Sequence, residues 1–224
     1  MNDKPTKETI QCFEKRLHDE SQKILDQLPT KIIELDTFEK QLLETNSKIQ
    51  KKCEEGQKKV LTKEKEWQSK IDKLFEEISV DIRSMHEQIK PKVFSFMNDL
   101  DKMVLFINGH VPAIEDGNNF GVAVQESIEK LMTEASSGAY NFLREIPKYY
   151  NQRSKMERKL QNHEQLEVGF YHVLIELDRK HALSLTHKLR SLKNLYLIIF
   201  DVITKNYQKI VQPKGHTSAK ISLY

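Results

Sequence analysis

Apolar residues recur along this chain in steps of three, four and seven, the period that gathers side chains on one face of an α-helix. Ile10, Phe13, Leu17, Ile24, Leu28, Ile32, Leu35, Leu42 and Ile49 form the first stripe. It predicts a helix over about residues 6–52, with Pro29 bending or restarting it. A second stripe runs through Leu74, Ile78, Ile82, Met85, Ile89, Val93, Phe96, Leu100, Met103 and Ile107. It predicts a helix over about 63–108, kinked at Pro91. The third, Val124, Ile128, Leu131, Ala135, Phe142, Tyr149, Met156 and Leu160, predicts a helix over about 120–160 with a kink at Pro147. The fourth has the cleanest spacing: Val168, Tyr171, Ile175, Ala182, Leu185, Leu189, Leu192, Tyr196, Ile199 and Ile203, with one gap at Asp178. It predicts a helix over about 164–211.

The breaks between stripes are short. Residues 53–62 read as a charged connector with a breaker at Gly56, and Gln161-Asn162-His163 as a turn. Between the second and third helices lies the most polar interruption. Gly109 and Pro112 stop the second helix, Asp116-Gly117 asks for a tight turn, and Asn118 or Asn119 can cap the helix beginning near Phe120. This loop covers about residues 109–119. Four sustained stripes joined by short breaks predict an all-α fold: an elongated, antiparallel, up-down-up-down four-helix bundle in one domain. Helices of that length span roughly 60–70 Å. In that topology the loop before Phe120 lies at the same end as the C-terminus.

Composition adds exclusions more than chemistry. Charged residues make up 31% of 224, and mean hydropathy is −0.62, which suits solvent-washed helices with narrow apolar stripes. A net charge of +3, mixed in sign along the chain, gives no basis for nucleic-acid binding. Cys12 and Cys53 are far apart and form no CxxC, so they are expected to stay reduced in an intracellular protein. The apolar run Leu195–Phe200 is too short to span a bilayer, and the first residues lack the apolar core of a signal peptide. His86-Glu87 and His163-Glu164 each begin a zinc-protease motif, but Lys90 and Glu167 stand where the second histidine belongs. Gly117 and Gly121 are not followed by the Lys-Ser/Thr of a phosphate loop. His181 and His187 are expected on solvated or partly buried faces. No catalytic residue, metal or cofactor is expected.

Beyond Pro213 the pattern stops. Residues 214–220 are small and polar, predicting a mobile segment, and the chain closes on Ile221, Ser222, Leu223 and Tyr224. Three apolar side chains at a terminal carboxylate suit either a frayed end that docks back on the bundle or a peptide-like anchor for another protein's pocket.

Residues 114–126 read IEDGNNFGVAVQE. This resembles the activation-loop signature of the REG, or 11S, family of proteasome activators, which are PA28-like. Leu28–Asp36, Ile89-Lys90-Pro91, Tyr149-Tyr150 with Arg153, Glu176-Leu177-Asp178, Lys205–Ile210 and Pro213-Lys214-Gly215 resemble further parts of that family. The resemblance implies a ring of seven bundles, homomeric or mixed, seated on the α-subunits of the proteasome core particle. It implies that Ile221, Ser222, Leu223 and Tyr224 anchor the ring in pockets between α-subunits. It implies that Glu115, Asp116, Gly117, Asn118, Asn119, Phe120 and Gly121 act on the gate. It also implies activation without ATP, short peptides as favoured substrates, and a cytoplasmic or nuclear setting without nucleic-acid or membrane partners. The penultimate residue is Leu223, where gate-opening tails of ATP-dependent activators carry Tyr, so opening is assigned to the loop. The rival reading from the residues alone is a helical scaffold or membrane-surface protein with no proteasome role.

Overall fold

In a computed structural model, described for residues 7–62, 66–114, 117–162 and 167–215, the chain forms four helices. These are α1 (Lys7–Thr62), α2 (Trp67–Gly109), α3 (Phe120–Asn162) and α4 (Glu167–Val211). The fold is an all-α four-helix bundle. Pro29, Pro91 and Pro147 all lie inside helices that continue past them.

The expected connector at 53–62 is instead the last turns of α1. Cys53 and Val60 are fully buried and continue the stripe of Leu42 and Ile49. Gly56 faces the core: a Cβ there would sit 3.1 Å from Leu74 and 3.4 Å from Ile175. The glycine therefore admits neighbouring side chains rather than breaking the helix. The charges around it pair outward, with Lys52 reaching Asp81 at 2.9 Å and Glu77 at 3.3 Å. Phe13, expected on the first stripe, is half exposed, and the Arg16 guanidinium lies 5.3 Å from its ring centre. Met156 and Leu160 are half-buried.

The chain divides into two compact units, each holding a piece of every helix. Among the described residues, one comprises 7–32, 95–114, 117–139 and 194–215, and the other comprises 33–62, 66–94, 140–162 and 167–193. In the first unit, Leu28, Phe96, Leu100, Met132, Tyr196 and Ile199 fill the core. The Phe96 and Tyr196 rings meet edge to face at 4.6 Å. A buried carboxylate, Asp99, accepts hydrogen bonds from the Tyr196 hydroxyl and the Lys31 ammonium, both at 2.5 Å. A buried charge is tolerated when its lone pairs are filled in this way.

In the second unit the gap in the fourth stripe has a reason. Asp178 is fully buried and accepts from the Tyr149 hydroxyl at 2.8 Å and from Arg153 Nε at 3.2 Å. Arg153 also donates to the Phe75 carbonyl at 3.1 Å and to Glu157. Beside this network, His86 and His181 face each other with Nε2 atoms 2.8 Å apart, and His86 Nδ1 lies 2.9 Å from the Tyr150 hydroxyl. One nitrogen of the facing pair must carry the proton and the other must accept it, so the two rings cannot both be cationic. Burial, then Lys90, brings His86 down to about 4; burial, then His86 and Lys188, brings His181 down to about 3.

These depressed values set a pH dependence. The unfolded imidazoles take up protons below about 6.5 while the folded pair resists, so stability is full above that pH and falls as acid is added. For each imidazole that stays neutral, the expected slope steepens from about 0.7 kcal/mol per pH unit at pH 6.5 toward about 1.4 near pH 5. Urea denaturation across that range measures it, with the double variant His86→Leu/His181→Leu expected to flatten the curve.

Candidate functional site

The loop begins where α2 runs out of helical bonds. His110 donates its backbone N–H to Ile107 at 2.9 Å and Val111 donates to Asn108 at 3.3 Å, tightening the last turn. The His110 ring turns back through Nδ1 to the Phe106 carbonyl at 2.8 Å. Pro112 then excludes further helix. Ile114 is completely exposed and Val111 is half exposed. Glu115 and Asp116 lie outside the described residues. Gly117 has φ +126°, a value that strongly favours glycine. Asn118 Oδ1 accepts the Phe120 N–H at 3.1 Å, and the Asn119 carbonyl accepts the first helical bond of α3 from Ala123 at 3.0 Å. Gly117, Asn118, Asn119 and Phe120 are all exposed.

The end of α4 arrives at the same place. α4 ends at Val211, and Gln212 adds one more bond to Gln208 at 2.9 Å. Pro213 and Lys214 make a turn closed by the Gly215 N–H on the Gln212 carbonyl at 3.1 Å, with Gly215 at φ +73°. The backbone of Pro213 lies directly on Gly121. A Cβ at position 121 would fall 2.1 Å from the Pro213 carbonyl oxygen and 2.5 Å from its Cα. Only a residue without a side chain admits that approach. The Lys209 ammonium sits 4.8 Å from the centre of the Phe120 ring, a second tie between the start of α3 and the end of α4.

Of the residues named from the sequence, Phe120 and Gly121 thus stand beside the root of the tail, with Gly117, Asn118 and Asn119 in the exposed loop just before them. Ile221, Ser222, Leu223 and Tyr224 lie outside the described residues. Sequence reasoning did not single out Gln125. It is fully buried, and its Nε2 donates to the His110 carbonyl at 3.0 Å and the Ile210 carbonyl at 2.7 Å. Its position between Val124 and Ile128 on the apolar face was the available signal: a buried amide at helix ends finds orphan carbonyls.

A cavity of about 660 Å³ in the second unit, lined by Asp72, Arg83, Arg153, Glu157 and Tyr171 among others, competes as a site. Several of its polar groups are already engaged: Arg153 as described, and the Tyr171 hydroxyl, which donates to Asp72 at 3.2 Å. No helix among the described residues is long and apolar enough to cross a membrane.

The family model for the C-terminal part of the proteasome activator PA28 matches residues 76–220, which include the loop and the tail root. The human and mouse proteins named proteasome activator complex subunit 3 are each 31% identical over 129 residues, 58% of this chain and 50% of theirs. The chain spans about half the length of these curated relatives. The 11S subunit of the Plasmodium falciparum proteasome, PA28, is 31% identical with a TM-score of 0.58, covering 59% of this chain and 57% of its own. A chain in the archaebacterial 20S proteasome–PA26 complex matches with a TM-score of 0.70 over 94% of this chain and 99% of its own. At 14% identity that match speaks for the fold alone. The family match covers well over half of the sequence, and the chain belongs to the PA28 family of proteasome activators.

Proposed function

We propose that this protein is an ATP-independent activator of the proteasome core particle. Copies of the chain form a ring, a homoheptamer or part of a mixed one. The ring seats on the α-subunits through Ile221, Ser222, Leu223 and Tyr224, and the loop Glu115–Gly121 favours the open gate. The ring itself catalyses nothing; it raises peptide hydrolysis by admitting substrate. It works in the cytoplasm, the nucleus or both.

The observation that carries this reading is the seat of Pro213 on Gly121. An activator of this kind needs its anchor and its gate-contacting loop to reach one target together, and here their roots touch. The loop also has the build its task requires. A gate shifts only through contacts that differ between its open and closed states, so the contacting element must hold its shape. Gly117 sets the turn and Asn118 pins the first N–H of α3, fixing where the exposed tip points.

The deciding experiment is fluorogenic peptide hydrolysis by latent core particle with and without the protein. A scaffold without a proteasome role would leave the rate unchanged. Within that assay, Asn118→Trp is expected to keep half-saturation within about threefold of wild type and to remove stimulation, because the tail is untouched while the loop tip is reshaped. Retained stimulation would rule out a gating role for the loop.

A further inference from the structure

We propose that Gln125 is a positioning residue through which the seating of the tail is transmitted to the activation loop; this rests on the activator reading above. Three helix ends meet at its amide: the exit of α2, the start of α3 and the exit of α4. The final carbonyls of a helix have no partner in the next turn and are ordinarily satisfied by water or by a side chain. Here one nitrogen takes both, with His110 at 3.0 Å and Ile210 at 2.7 Å. The bond to His110 closes the base of the loop, because donor and acceptor stand fifteen positions apart in sequence and Glu115 to Gly121 lie between them. The bond to Ile210 holds the tail three residues before Pro213.

A planar amide has two N–H groups at a fixed angle, so bonding two carbonyls sets their relative position, not only their separate satisfaction. Displacing the Ile210 carbonyl therefore displaces the base of the loop as well. Between Ile210 and Gly215 stand only the end of α4 and one hydrogen-bonded turn. A displacement of the chain at Gly215 therefore reaches Gln125 within a few residues.

The amide is not placed there for stability alone. Its Oε1 is buried and has no hydrogen-bond partner among the described residues. An unsatisfied buried acceptor opposes folding, and replacing Gln125 with an apolar side chain of similar length removes that opposition while giving up the two N–H bonds. The two effects offset in stability and do not offset in position.

The test is Gln125→Met in the assembled ring, titrated against latent core particle with a fluorogenic peptide. Expected are a half-saturating concentration within about threefold of wild type and a maximal stimulation lowered at least about fivefold. Hydrogen exchange is expected to speed up over residues 111–120 and 210–215, with the melting temperature shifted by only a few degrees. A merely structural role would instead lower the melting temperature and leave maximal stimulation intact at saturation. Gln125→Leu, which also lacks both N–H groups, is expected to act in the same direction and carries the test if the Met variant does not assemble. Undiminished maximal stimulation by an assembled variant overturns the proposal while leaving the activator reading in place. A silent wild type overturns both.

Discussion

Removal of Leu223 and Tyr224 is expected to bring stimulated peptide hydrolysis down to the rate of the core particle alone. The tail is short, so its affinity depends on few groups. Burying an apolar side chain of this size contributes about 1.5–3 kcal/mol before ordering is counted. Tyr224 and Leu223 hold most of that area, and their loss moves the terminal carboxylate two residues back along the chain. Ordering costs already leave a single tail weak. In the proposed ring, several tails act together, each raising the effective concentration of the next. The same multiplication works against the truncated protein: a deficit of about 3 kcal/mol per tail, roughly two orders of magnitude in each equilibrium, is compounded over every tail in the ring. Mass photometry of ring and core particle mixed at micromolar concentration should show no complex, while the truncated ring itself assembles as before. A truncated ring that still binds and stimulates would remove the anchor from the proposal.

Much of the fold was legible because helical amphipathicity is a local code. The stripes from Leu28 to Ile49 and from Tyr171 to Ile203 needed only spacing. The loop was legible for the same reason, since Gly117 and Pro112 act through their own backbone torsions. What stayed hidden was lateral. Gly56 looked like a breaker, because whether a glycine ends a helix or admits Leu74 and Ile175 depends on the helices facing it. Asp178 looked like an interruption of the fourth stripe until Tyr149 and Arg153 supplied its donors from α3. His86 and His181, 95 residues apart, gave no motif, because a two-ring pair has no required sequence spacing. Gln125 and Ile210 are 85 apart and meet only once α3 and α4 are in register.

Gly121→Ala is the smallest change expected to have a large effect. Gly121 does not adopt a positive φ, so the added methyl meets no torsional penalty in α3. Intrinsic helix propensity favours alanine over glycine by about 1 kcal/mol. The substitution would therefore stabilise α3 if nothing faced it. What faces it is backbone: the Pro213 oxygen at 2.1 Å, its Cα at 2.5 Å and its carbonyl carbon at 2.6 Å from the new Cβ. Contacts that close cannot be relieved by a rotamer, so either the start of α3 or the root of the tail must move by more than an ångström. Either displacement separates loop from anchor. Core-particle binding is expected to survive within about tenfold, because the last four residues are unchanged, while maximal stimulation falls at least about tenfold. Gly138→Ala is the control on the same helix. A Cβ there meets nothing within 4 Å, so that variant is expected to melt slightly higher than wild type and to stimulate normally. Equal stimulation by both alanine variants would mean that the seat of Pro213 on Gly121 has no part in opening the gate.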